Sequence, residues 1–217
     1  EQAIAAVYSA QRDCYFDQIN SFIGISSYLD DDYVANGRAL FDDPFIRAFE
    51  RYQVRNFDQF LVPWQNYYKG IFRANFVLES LDKNNSTLTD LQKASYRGQA
   101  YYLRASLYFD LCRLFGGVPL KTSTESSNPA RASIDECFAL IASDLKNAIE
   151  LLPATTFAKV NKSSELFNAN KWAAEAMMAR VFLFYTGTYT KTDLPLMASG
   201  TVNKSKAIEY LQDVINN

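Results

Sequence analysis

The chain has 217 residues, 48% of them apolar and 21% charged, with a formal net charge of −2. That length and composition allow one large helical domain with its own core, and the near-balanced charge, without a basic stripe, gives no footing to a nucleic-acid partner. Histidine is absent, which removes the commonest general base and metal ligand and every Ser–His or Cys–His nucleophile, and so disfavours an enzyme.

The first segment, Glu1 to about Phe22, carries Ile4, Val7, Tyr8, Tyr15 and Ile19 at helical spacing. The stretch that follows, GISSYLDDDYVANGRALFDDPF, has Gly24, Gly37, Pro44 and five aspartates. It reads as a long irregular connection of the kind that carries function. Pro63 suits the first turn of the next helix. That helix puts Tyr67, Ile71, Ala74, Leu78 and Leu81 on one stripe, with Glu79 and Lys83 spaced for a surface ion pair.

A third helix, from about Thr89 to Phe115, has two apolar faces. Leu91, Ala94, Gly98, Tyr101, Ala105, Tyr108 and Cys112 form one; Leu103, Leu107, Leu111 and Leu114 form the other. A helix apolar on two sides is sandwiched between neighbours. Gly98 costs about 1 kcal/mol of helix propensity relative to alanine, and close approach of an adjacent helix at Gly98 and Ala105 would compensate. Arg97 and Arg104, seven apart on one face, are placed to pair with carboxylates of adjacent helices.

Gly116, Gly117 and Pro119 stop this helix. After the polar loop KTSTESSNPARA, Ser133 and Glu136 form an S-x-x-E capping box. The fourth helix that it opens has the stripe Phe138, Ile141, Leu145, Ala148 and Leu152, and Pro153 ends it. The fifth, NKWAAEAMMARVFLFYTG, and the sixth, KAIEYLQDVI, flank an insert with Pro195 and Gly200. No segment carries a convincing β-hairpin signal.

The third and fourth helices form one pair, the fifth and sixth another. Each second helix has an alanine–isoleucine step, Ala148-Ile149 and Ala207-Ile208. Ala179, Gly187 and Tyr189, then Ala207, Ile208 and Tyr210, are similar to the small-and-aromatic pattern of a tetratricopeptide repeat. The expected fold is all-α: irregular TPR-like helix pairs in a right-handed superhelical bundle with long loops. Cys14, Cys112 and Cys137 lack CxxC spacing. They read as small buried hydrophobes, with a Cys112–Cys137 bridge as the alternative. Neither a metal nor any other cofactor is expected, and no apolar run approaches the roughly 20 residues that span a bilayer. Both ends read as helices in progress, and no signal peptide is visible, as in a mature or excised piece.

YRGQAYYLRASLYFDLCRLFGGVPL, from Tyr96 to Leu120, resembles the signature segment of the SusD/RagB family of outer-membrane nutrient-binding proteins. AIAAVYSA at the start, WQNYYKGIFRANFVLESL from Trp64 and SIDECFALIASDLKNAIELLP from Ser133 agree with it in the same order, and the acidic YLDDDY falls where these proteins carry an acidic pair. The resemblance implies a non-catalytic surface lipoprotein on the outer membrane of a Bacteroidetes-type bacterium. Such a protein hands glycans, or in some relatives peptides, to a TonB-dependent transporter. It further implies that residues 1–217 are one helical domain forming the N-terminal half of a longer protein, anchored through an N-terminal lipid that this chain lacks.

Aromatic residues make up 15% of the chain. At helical spacing, Tyr67, Tyr101, Tyr108, Phe109, Trp172 and Phe182 read as core, and Trp64 as packing between helices. The ligand-binding candidates precede Trp64, in RYQVRNFDQF, where Tyr52, Asn56 and Phe57 sit on a loop able to present them. Phe57 lies near where some starch-binding relatives carry a stacking tryptophan. Arg38 is a candidate for ligand hydroxyls, and Asp31 for the family's acidic pair. Asp30, Asp31 and Asp32 as an ion site lack the alternation and glycine of an EF-hand loop, and read better as a hydrogen-bonded loop. Two other functions compete with glycan capture. A TPR-like protein-binding scaffold would show a concave groove rich in Lys, Arg and Asn. A two-carboxylate glycosidase would need acids facing one cleft, and Asp42, Asp43 and the aspartate triplet are only adjacent in sequence.

Overall fold

A computed structural model describes residues 1–16, 21–30, 48, 51–53, 58–83, 87–154 and 168–217. Among them are seven helices: α1 Gln2–Phe16, α2 Phe22–Tyr28, α3 Asp58–Asp82, α4 Asp90–Phe115, α5 Ile134–Leu151, α6 Lys171–Tyr189 and α7 Lys204–Asn216. The only strands among these residues are β1 Leu194–Pro195 and β2 Thr201–Val202, paired antiparallel between α6 and α7.

Helix α4 is the centre. Its residues from Gly98 to Cys112 are buried almost without interruption, as two apolar faces require. Leu91 departs from the expected stripe: it is 79% exposed, because the first turn of α4 extends past its neighbours. On one side lies α3, running antiparallel, with Tyr67 against Asp110 at one end and Asp82 against Arg97 at the other. On the other side lies α5, also antiparallel. The Gly98 backbone leaves so little room that a Cβ there would stand 2.8 Å from Leu152 Cγ, the close approach expected of this glycine. Helix α1 crosses both α3 and α4: Gln11 donates to Ser106 at 3.0 Å, and Arg73 donates to the Ala6 carbonyl at 2.8 Å.

The helix starts follow local chemistry. Ser133 caps α5 reciprocally with Glu136, as the S-x-x-E pattern predicts. Thr89 and Gln92 make the same box for α4, and Asn170 and Asn203 cap α6 and α7. Two boundaries differ from expectation. Among the described residues the first helix runs to Phe16, and a separate helix, α2, capped by Ser21 and held by buried Ile25, reaches into the segment read as connection. Pro63 lies inside α3, which begins five residues earlier at Asp58. The edge-on contact of Phe60 with Phe115, at 6.0 Å, extends the packed surface past the proline and offsets the lost N–H donor.

Two buried polar knots tie the layers. Arg104 donates from Nε and Nη2 to the two oxygens of Asp144 on α5, each at 2.7 Å, and from Nη1 to Asn75 on α3 at 2.7 Å. Arg104 is 5% and Asp144 2% exposed. Asn75 then donates to the Lys121 and Ser123 carbonyls, at 3.0 and 3.1 Å. Glu79 does not turn to Lys83; its carboxylate accepts from Thr124 N and Oγ1 at 2.7 and 2.5 Å. The second knot is Asp110, which accepts from Tyr15, Tyr67 and Arg113. The Arg113 guanidinium lies over Phe22 at 3.9 Å and Phe109 at 4.7 Å, docking α2 onto α4. Arg97 meets Asp82 at 2.7 Å, so both arginines pair with carboxylates of neighbouring helices as expected.

The remaining core matches the apolar stripes. Phe138, Ile141, Leu145 and Ala148 are fully buried, as are Tyr67 and Tyr108, and Phe109 and Phe182 nearly so. Trp64 packs on Tyr68 and Phe115, at 4.9 and 5.1 Å between ring centres. The three cysteines are free buried thiols, so Cys112 and Cys137 are not bridged. All three share the main apolar cluster, and Cys137 Sγ accepts from Val118 N at 3.4 Å.

Asp144→Ala strands the Arg104 charge in the core and should lower unfolding free energy by about 3–5 kcal/mol, measured by urea titration. The paired replacement Arg104→Met with Asp144→Leu should cost far less, because no unpaired charge remains. Two glycines should respond oppositely. A Cβ at Gly117 would stand 2.1 Å from the Ala132 carbonyl oxygen, whereas nothing lies within 4 Å of one at Gly187. Gly117→Ala should destabilise by about 1–3 kcal/mol, and Gly187→Ala should stabilise by about 0.5–1 kcal/mol.

Candidate ligand-contact site

Tyr52 is the one sequence candidate that falls on described residues. It stands 74% exposed, on left-handed backbone with φ 52°. A non-glycine residue in that conformation costs about 1–3 kcal/mol unless its surroundings hold it there. Two contacts do so here: Gln53 N donates to the Ala48 carbonyl at 2.8 Å, and the Tyr52 hydroxyl donates to the Leu29 carbonyl at 2.6 Å. Leu29 is the C-cap of α2, so the ring is pinned where the chain enters the aspartate run. A tyrosine anchored through its hydroxyl keeps its apolar faces free for stacking at low entropic cost. Asp31, Arg38, Asn56 and Phe57 lie outside the described residues, as do Asp32, Asp42 and Asp43. Asp30 has an interaction partner.

A concave feature lies toward the other end of the chain, between α5, α6 and α7. It is a groove of 610 Å³, within the range of small-ligand sites. Lys146 and Glu150 come from α5, Lys171 and Glu175 from α6, and Lys206, Glu209 and Asp213 from α7. Glu175, on the floor, is only 2% exposed. Lys171 Nζ is shared between Asp213 at 2.8 Å and Glu175 Oε1 at 3.4 Å. Burial raises the Glu175 carboxyl above its ordinary range against the pull of Lys171, and the Asp213 charge adds to the rise. Asp213 is shifted the other way, chiefly by its hydrogen bond from Lys171.

Sequence reading missed this groove. Its trace was the K-x-x-x-E spacing at Lys146/Glu150 and again at Lys171/Glu175, which by itself describes ordinary surface pairs. Only the packing of α7 across α6 buries one of them. Among the described residues, no group of three or more His, Cys, Asp or Glu side chains could hold a metal ion. No described helix is long and apolar enough to cross a membrane.

A family model described as "Starch-binding associating with outer membrane", of the SusD-like group, matches residues 25–183. SusD-like protein P38 of Formosa agariphila is 35% identical over 107 residues, 45% of this chain and 20% of the relative. A SusD-like protein of Bacteroides ovatus is 26% identical over 180 residues, 78% of this chain and 30% of the relative. The chain therefore spans under a third of the length of these curated relatives. Among solved structures, Surface glycan-binding protein A from Bacteroides uniformis superposes with a TM-score of 0.79 at 22% identity, covering all of this chain and 45% of that one. A laminarin-binding SusD-like protein gives 0.76 at 24% identity, over 98% of this chain and 42% of its own. The likeness to these structures is one of fold. The family match over most of the chain carries more: this helical chain belongs to the SusD-like family, whose members are described as starch-binding and associated with the outer membrane.

Proposed function

We propose that this chain is the helical platform of a non-catalytic protein that captures glycans at the cell surface for import through a TonB-dependent outer-membrane transporter. The observation that carries the reading is the family match over residues 25–183. One solved structure described as laminarin-binding, and one solved with a xylogluco-oligosaccharide, support a glycan as the ligand class. The absence of histidine supports capture without turnover. On this reading Tyr52 supplies a stacking ring, Phe57 a second, and Asp31, Arg38 and Asn56 bond the sugar hydroxyls. The helices α1 to α7 present a rigid back to the transporter.

The full-length protein, titrated calorimetrically with starch-, laminarin- and xyloglucan-derived oligosaccharides, should bind at least one. Tyr52→Ala should weaken that binding about five- to tenfold, the worth of one aromatic contact. Tyr52→Phe should lose less than Tyr52→Ala, because the ring remains although its hydroxyl anchor on Leu29 is gone. Affinity for a peptide pool with none for any glycan would reassign the ligand class. Co-purification with a soluble partner in place of a β-barrel transporter would favour a scaffold.

A further inference from the structure

The chain has three cysteines, and two of them face each other. Helices α4 and α5 run antiparallel in a register fixed at two points: Gly98 lies against Leu152, and Arg104 pairs with Asp144. About two turns farther along α4 and two turns back along α5, the same register sets Cys112 opposite Cys137. The end of α4 agrees with it. Just past the stop at Gly116, Val118 N donates to Cys137 Sγ at 3.4 Å. The Cys112 thiol donates to Cys137 Sγ, and both residues are buried, at 1% and 0% exposure. Cys14, on α1, lies near Asp110 instead.

Packing alone would be served by any small apolar side chain at these two positions. What two adjacent sulfurs add is redox chemistry, and the helices are close enough for it. Leu152 sits against the α4 backbone at Gly98, and Ala105 on α4 and Ala142 on α5 are fully buried small residues. Close helix axes keep the separation of facing Cα atoms short, as a disulfide requires. We propose that Cys112 and Cys137 are a modification site: a dithiol that closes to an intramolecular disulfide, stapling α4 to α5, when a disulfide-class oxidant is present as the chain folds. The structure describes its reduced form. The oxidising setting rests on the family reading, since proteins associated with the outer membrane fold outside the reducing cytosol. The capacity to form the bond rests on the helix register alone.

The exchange has two steps. Cys137, as thiolate, attacks one sulfur of the oxidant R–S–S–R, forming a mixed disulfide and expelling RS⁻, which takes up the proton that Cys137 released. Cys112 then loses its proton and attacks Cys137 Sγ, and the bond from that sulfur to the R–S group breaks. The second RS⁻ leaves and is protonated. The two thiols lose two electrons and two protons, and the oxidant becomes two R–SH. Cys137 attacks first because donation from Cys112, with more from Val118 N–H, holds its thiol down at about 7 against the effect of burial. Cys112 is pushed up by its hydrogen bond to Cys137 and by burial. Burial also bars the oxidant once the helices have closed, so the bond forms during folding. It encloses a loop of about 25 residues, the connection whose Lys121 and Ser123 carbonyls are held by Asn75.

The test reduces the full-length protein, unfolds it in urea and refolds it with either oxidised or reduced glutathione. Each product is unfolded again and alkylated, and its peptides are mapped by mass spectrometry. Oxidised glutathione should give one peptide pair joined through Cys112 and Cys137, lighter by two hydrogens than the two thiol peptides, with Cys14 alkylated. The bonded form should melt about 5–10 °C above the reduced form, and dithiothreitol should abolish the difference. Cys14→Ala should form the same bond, and Cys112→Ala should stop at a glutathione adduct on Cys137. Three alkylated cysteines after oxidative refolding, a bond through Cys14, or an unchanged melting temperature in the bonded form would each overturn the proposal. Should Cys112→Ala fail to fold, the maps of the unaltered protein and of Cys14→Ala decide the matter. Mapping requires no ligand, so its result is separate from that of the glycan titrations.

Discussion

The architecture depends on one buried ion pair. Arg104 sits in the middle of the central helix, and its planar fork spends all three nitrogens on groups from two different neighbours, Asp144 and Asn75. Burying a guanidinium and a carboxylate costs several kcal/mol each in lost hydration, and the bidentate geometry recovers that only in one relative placement of the helices. The pair therefore does less to stabilise the fold than to specify it. Hydrophobic stripes on α3, α4 and α5 would tolerate sliding by a turn; Arg104 with Asp144 and Asn75 would not.

That fixed register propagates to the loop between α4 and α5. Asn75, held by Arg104, holds the Lys121 and Ser123 carbonyls. The Tyr108 hydroxyl bonds both polar groups of Lys121, and Tyr68 donates to the Pro119 carbonyl at 2.7 Å. Gly117 lets the chain pass the Ala132 carbonyl, beside the Pro119–Arg131 bridge. A polar segment that would otherwise wander is thus attached along α3. Asp110 does the equivalent at the other end of α4, where Tyr15, Tyr67 and Arg113 converge and Phe22 brings in α2. The Tyr52 hydroxyl on the α2 C-cap extends this chain of contacts to the proposed sugar contact.

Two regions outside the main core differ in character. Near Tyr52, left-handed backbone and a hydroxyl anchor present an exposed ring. Between α5, α6 and α7 the rings are capped by lysines, and the Glu175 carboxyl is buried beneath them.

How much of this the sequence carries varies with the range of the interaction. Helix type, the capping box at Ser133, the stop at Gly116 and Gly117, and the core stripe from Phe138 to Leu152 depend on residues within a few positions of one another, so they are legible in one dimension. The tight contact at Gly98 was legible too, because a glycine inside a helix has a propensity cost that only packing offsets. Pro63 misled because a proline is judged by its own turn, while the contact of Phe60 with Phe115 that carries α3 past it joins residues far apart in the chain. Glu79 misled likewise, since Thr124 outcompetes a lysine four residues away. Tyr52 was legible as a loop aromatic, but its anchor on Leu29 was not, and Glu175 was indistinguishable from any other acid in a K-x-x-x-E pair. The sequence by itself determined an all-helical chain of the SusD-like family. Only tertiary packing decided which polar groups are buried and what they pair with, because burial comes from distant helices meeting and leaves no local trace.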